Sequence, residues 1–144
     1  MLQRLFGRGK TQPPHATAPT PSATPRVYPV DLTDADFAAT LTAGPAVAVV
    51  DVWAEWCAPC RVMSAYVGML AQEFAARALV AAVDADENPA LSQQFGIQGL
   101  PTLLFLRHGV EVDRIVGVVA YEEIKARLAR WLPDVTVPNP SPAE

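Results

Sequence analysis

The 144-residue sequence predicts an α/β fold, a central mixed β-sheet flanked by helices in the order βαβαβαββα. Three observations predict it. Short apolar runs bounded by turn residues alternate with stretches whose apolar residues recur at helical spacing, as when strands hand over to helices. The last two runs flank Arg107-His108-Gly109, a hairpin signal that sets an antiparallel pair beside runs of the fully buried, parallel-sheet kind. Finally, 51% of the residues are hydrophobic in a chain one domain long, which can supply a real core.

The elements follow in order. Val27 to Val30 reads as a short first strand. Asp31-Leu32-Thr33 offers capping residues for a helix from Asp34 to Leu41, which places Phe37 and Leu41 on one face and gains from Ala35, Ala38 and Ala39. Gly44-Pro45 breaks the pattern, and Ala46 to Trp53 is the buried central strand. Cys57 to Arg77 forms a long helix with Val62, Met63, Tyr66, Val67, Leu70 and Phe74 on one side. Leu79 to Val83 is a second buried strand. Asp86-Glu87-Asn88-Pro89 signals a helix start, with Leu91 and Phe95 as packing residues. Gly96 and Gly99 bracket a turn into Pro101, and Thr102 to Leu106 and Val112 to Val116 make the hairpin strands. Tyr121 to Leu132, with Ile124, Leu128 and Trp131 at helical spacing, closes the domain.

Composition separates the ends from this domain. Of 14 prolines, five lie in residues 11 to 26 and four in 133 to 144. Residues 1 to 26 and 133 to 144 are Pro- and Thr-bearing with few large apolar groups, so both are expected to be disordered around a domain at 27 to 132. Arg4, Arg8, Lys10 and Arg26 give the first arm four positive charges and no acid, whereas 27 to 132 carries 7 basic and 13 acidic side chains. An acidic core argues against a nucleic-acid protein, and a solvated tail is the plainer reading of the arm. No apolar run approaches the roughly 20 residues that span a bilayer, and Leu2, Leu5 and Phe6 are too few for a secretory signal. A transit peptide is the remaining targeting option for this Arg-bearing, acid-free start. Two cysteines suit a reducing compartment.

Those two cysteines carry the chemistry. Trp56-Cys57-Ala58-Pro59-Cys60 sits where the central strand hands over to the long helix. The unpaired N-H groups and positive dipole end of that helix favour a thiolate at Cys57, the attacking species in thiol-disulfide exchange. Cys60, nearly one turn further in and more shielded, can resolve a mixed disulfide. Pro59 fits the first turn, where its missing N-H has no intrahelical partner. A zinc half-site would need two more ligands, and the only histidines, His15 and His108, lie in the arm and the hairpin turn. A purely structural disulfide across so short a loop constrains the unfolded chain little. Inert core cysteines fit poorly beside Trp56 and Pro59, which describe an exposed turn.

Asp51 to Cys60, then Gly96-Ile97-Gln98-Gly99-Leu100-Pro101-Thr102, then Gly117 at the matching spacing resemble the active-site strand, proline loop and following glycine of the thioredoxin family. The resemblance covers residues 27 to 132 and implies the thioredoxin fold and a protein-disulfide reductase. It implies that Cys57 attacks, that Cys60 resolves, and that Asp51 is a buried acid accepting the Cys60 proton, its pKa raised by an apolar surrounding. It further implies that Pro101 is a cis-proline and that Trp56, Pro59, Leu100, Pro101 and Gly117 contact a substrate held by backbone pairing. No bound cofactor is implied: electrons would come from thioredoxin reductase, with NADPH used indirectly, and the partners would be disulfide-containing proteins. A cytoplasmic monomer is the matching expectation. Ala58, Ala65 and Ala82 depart from the family's usual glycine, helix-kinking proline and lysine, so this helix should run straighter and Asp51 should hold its proton more readily. The Ala58-Pro59 dipeptide and the missing export signal favour a reductant, typically near roughly −270 mV, over oxidants near roughly −120 mV. Two other readings are a membrane-associated or exported exchanger and a noncatalytic binding module.

Overall fold

The computed structural model describes residues 27–133. Its elements are β1 (Val30–Asp31), α1 (Phe37–Ala43), β2 (Val47–Trp53), α2 (Ala58–Phe74), β3 (Leu79–Asp84), α3 (Pro89–Gln94), β4 (Thr102–Arg107), β5 (Val110–Val116) and α4 (Tyr121–Trp131). The strands form one five-stranded sheet in the order β1-β3-β2-β4-β5. β3 runs parallel to β1 and β2, whereas β4 runs antiparallel to β2 and β5. The mixed sheet and the element order are therefore those expected. The arm at 1–26 and residues 134–144 of the expected tail lie outside the described residues.

Because side chains alternate across a strand, β2 feeds two cores. Val47 and Val49 join Met63, Val67 and Leu70 of α2 and Ile124 and Leu128 of α4 on one face. Ala48, Val50 and Val52 join Phe37 and Leu91 of α1 and α3 on the other. Burial of both faces explains the unbroken apolar run that marked β2 in the sequence.

Several boundaries differ from the expectation, each for a local reason. The strand expected at Val27 to Val30 is only Val30–Asp31, because Pro29 has no N-H to give a ladder and the Val27 carbonyl accepts a hydrogen bond from Gln72 Nε2 instead, at 2.8 Å. The helix expected from Asp34 begins at Phe37 and runs on to Ala43. The Asp34 carboxylate is committed elsewhere, accepting the Leu91 and Ala90 N-H groups at 2.8 and 3.2 Å at the start of α3, while Asp36 accepts the Thr33 N-H at 2.7 Å. α2 starts one residue after Cys57 and ends at Phe74, where the Arg77 and Ala78 N-H groups turn back onto the Phe74 carbonyl. β5 starts at Val110 rather than Val112. His108 and Gly109 both take positive φ, 49° and 78°, and this tight two-residue turn lets the strands pair at once. α2 is one uninterrupted helix through Ala65.

Candidate active site

β2 ends at Trp53, and the chain turns through Ala54, Glu55 and Trp56, closed by a 3.2 Å hydrogen bond from the Cys57 N-H to the Ala54 carbonyl. Cys57 is the N-cap of α2, with extended φ and ψ of −89° and 102°, and Pro59 occupies the first turn. The sulfur of Cys57 thus sits at the positive end of a 17-residue helix whose first N-H groups have no helical partner. Cys57 and Cys60 are joined as a disulfide, their Cα atoms 5.3 Å apart.

Burial of the pair departs from the sequence expectation. Trp56 is 71% exposed as an outer turn residue should be, but Cys57 is 5% and Cys60 2% exposed, so the neighbours do not make the cysteine an open position. The pair packs with Ala54 against Trp53 and Leu100. Cys57 remains the less shielded of the two, in the expected order.

The proline loop completes the surface. The Leu100-Pro101 bond is cis, and Pro101 is buried at the start of β4. Its carbonyl accepts the Gly117 N-H at 2.8 Å, and Gly117 has a φ of 87°, a conformation that favours glycine. Nearby, Thr102 Oγ1 donates to the Gly99 carbonyl at 2.6 Å. Leu100, Pro101 and Gly117 are therefore brought to the cysteine end of the sheet, with Trp56 and Pro59 exposed beside them.

Asp51 lies on β2 and is 1% exposed. By alternation it shares a face with Val49, toward α2, and its partners in the sheet are Ala82 of β3 and Leu103 of β4. No cation stands at either position. Burial pushes its carboxyl up from the usual carboxylate range to about 7, against a smaller lowering by a hydrogen bond from Ser64. Ser64 Oγ donates to Asp51 Oδ2 at 3.4 Å, a stretched bond, and Oδ1 has no partner among the described residues.

Two residues here were missed by the sequence reading. Ser64 stands four residues after Cys60, on the same side of α2, and that spacing was a usable signal. Asp86 accepts the Trp56 Nε1-H at 2.8 Å and so holds the exposed indole. No local pattern marks that bond, since 30 residues separate the partners.

His108 lies at the opposite end of the sheet, its N-H on the Ala46 carbonyl. No group of three or more potential metal ligands occurs among the described residues. A cavity of about 470 Å³ is also at that far end, between Phe37, Leu41 and His108, with no cysteine in its lining. A smaller one of about 320 Å³ adjoins the cysteines and is lined by Trp53, Ala54, Glu55, Cys60, Arg61 and Ser64.

With this geometry in view, the likenesses to known proteins are specific. The Thioredoxin family model matches residues 28–130. Thioredoxin of Synechocystis sp. is 34% identical over 111 residues, covering 77% of this chain and 99% of the relative. Thioredoxin of Alicyclobacillus acidocaldarius is 39% identical over 98 residues, covering 68% and 92%. A mutant thioredoxin from Halobacterium salinarum superposes with a TM-score of 0.68 at 28% identity, covering 74% of this chain and 92% of that one.

Proposed function

This chain belongs to the thioredoxin family, and we propose that it works in the reducing direction, as a protein-disulfide reductase. Thiol-disulfide oxidoreduction is its chemistry. The observation that carries the reading is the Cys57-Cys60 pair at the amino end of α2, with a buried carboxyl on the strand beneath that titrates near neutrality.

In the proposed cycle the Cys57 thiolate attacks one sulfur of a substrate disulfide and releases the other as a thiolate. Cys60 loses its proton to Asp51 and attacks the Cys57 sulfur of the mixed disulfide. The Cys57-Cys60 disulfide forms, the second substrate thiolate leaves, and two electrons have passed to the substrate. A carboxyl near 7 is matched to this task, because it is partly ionised when the proton must be taken and still basic enough to take it. Trp56, Pro59, Leu100, Pro101 and Gly117 form the docking surface for an extended substrate segment, where main-chain pairing tolerates varied sequences.

Thioredoxin reductase returns the pair to the dithiol, and NADPH is spent by that enzyme without binding here. The Ala58-Pro59 turn supports the reducing direction, and a cytoplasmic monomer is the setting that fits it. No described helix is long and apolar enough to cross a membrane. The test is an NADPH-coupled insulin-reduction assay with a thioredoxin reductase. The native chain should support turnover, Cys57→Ser should abolish it, and Cys60→Ser should accumulate mixed disulfides on nonreducing gels. Full turnover by Cys57→Ser would reject the assignment.

A further inference from the structure

We propose that Ser64 is a positioning residue for Asp51, and that its hydroxyl relays the Asp51 proton to solvent through the cavity beside Cys60. The proposal rests on the reading of Asp51 as proton acceptor and adds what must follow it. A carboxyl that takes a proton in each cycle has to lose it before the next. Asp51 is 1% exposed, so it cannot do so directly.

Ser64 is the side chain that joins it to the outside. The residue is exposed on α2, yet its Oγ reaches Asp51 Oδ2 at 3.4 Å. The same residue lines the 320 Å³ cavity with Cys60, so one wall holds both the proton's source and its exit. That volume admits several waters, each occupying about 30 Å³ of liquid. A serine hydroxyl suits the relay because it donates and accepts together. When Asp51 is a carboxylate, Ser64 donates to it. When Asp51 is protonated, its O-H donates to Ser64 Oγ, the serine proton passes to a cavity water, and Asp51 is left as the carboxylate. One proton enters from Cys60 and one leaves to water.

The surroundings leave this task to few groups. The sheet positions beside Asp51 are Ala82 and Leu103, neither of which titrates. α2 supplies Cys60 and Ser64, and the charged groups on the cavity wall are Glu55 and Arg61, both exposed. Unpartnered Oδ1 makes the Ser64 contact the sole hydrogen bond to this carboxyl among the described residues.

The experiment compares Ser64→Ala, Ser64→Thr and Asp51→Asn in the full chain. Two quantities are read: the Asp51 titration by carboxyl NMR, and the pH profile of mixed-disulfide resolution over repeated turnovers, because the proton leaves Asp51 only after each resolution. Loss of the hydroxyl should raise the Asp51 midpoint and the acidic limb of the profile together by about half a pH unit, which lowers resolution about threefold below the midpoint. Ser64→Thr should restore both. An unshifted titration and profile in Ser64→Ala overturns the proposal, as does a shift that Ser64→Thr fails to reverse. If Asp51→Asn leaves the profile unchanged, it is the underlying assignment of Asp51 that fails, a result distinguishable from the first because it does not involve Ser64.

Discussion

At the scale of single residues, Asp51 costs this fold stability, a cost that the proton-accepting role proposed for it would account for. Its carboxyl is raised to about 7 by burial. In acid, both folded and unfolded chains hold the proton and no penalty exists. As pH rises toward about 7 the unfolded chain has already lost its proton while the folded one keeps it, so stability falls, and above that the full cost of the buried carboxylate is present. A carboxyl raised by about three pH units corresponds to roughly 4 kcal/mol. Asp51→Asn should therefore raise Tm clearly near pH 8 and little near pH 4, as thermal melts of the oxidised chain would show. An equal rise at both would mean that the aspartate's charge is not the cost. Gly117 is a second residue whose local conformation is set beside the cysteines, through its hydrogen bond to the Pro101 carbonyl. A Cβ there would meet open space, so the penalty of Gly117→Ala is conformational, about 1 to 2 kcal/mol from a φ of 87°. Denaturant unfolding measures it, and substrate KM should rise as the Pro101 contact loosens.

Among the elements, α2 does most to join the core to the cysteines. Met63, Val67, Leu70 and Phe74 bury one side against β2, β4 and α4, which fixes where Cys57 emerges at its amino end. Leu70→Ala, at a fully buried position, should cost about 2–5 kcal/mol in urea unfolding while leaving the thiol chemistry of the folded fraction intact. Such periodic elements were readable in the sequence because burial imposes a spacing on the residues. Their ends were not, because capping groups came from elsewhere in the chain. Asp34 looked like the start of α1 and serves α3, 57 residues away at Leu91. Pro29 was readable as an obstacle to pairing, yet the loss of Val27 and Tyr28 from β1 depended on Gln72 of α2. The hairpin was legible at Gly109, but His108 in a left-handed conformation shortened the turn beyond what its residue type suggested.

For the molecule as a whole, the strand order places the Cys57-Cys60 turn, the Pro101 loop and Gly117 at one end of the sheet, because β2 and β4 run antiparallel and present opposite termini there. The cysteine pair stood out by its local spacing, and Asp51 by the resemblance of its strand to the family's active-site strand. The depth of the cysteines and the Trp56-Asp86 bond were not legible, because each depends on which surfaces the fold brings together, whereas Ser64 could have been found from its spacing after Cys60. The described residues, 27–133, contain both core clusters, so a chain beginning at residue 27 should reduce insulin at nearly the native rate. A large loss would assign the basic arm a part in the reaction.

The most direct measurement is alkylation of the reduced chain with iodoacetamide as a function of pH, with the modified cysteine identified by mass spectrometry. Cys57, at the amino end of α2, should react first, while Cys60 stays protected. Reaction first at Cys60, or no reaction at either sulfur in the folded protein, would contradict the account.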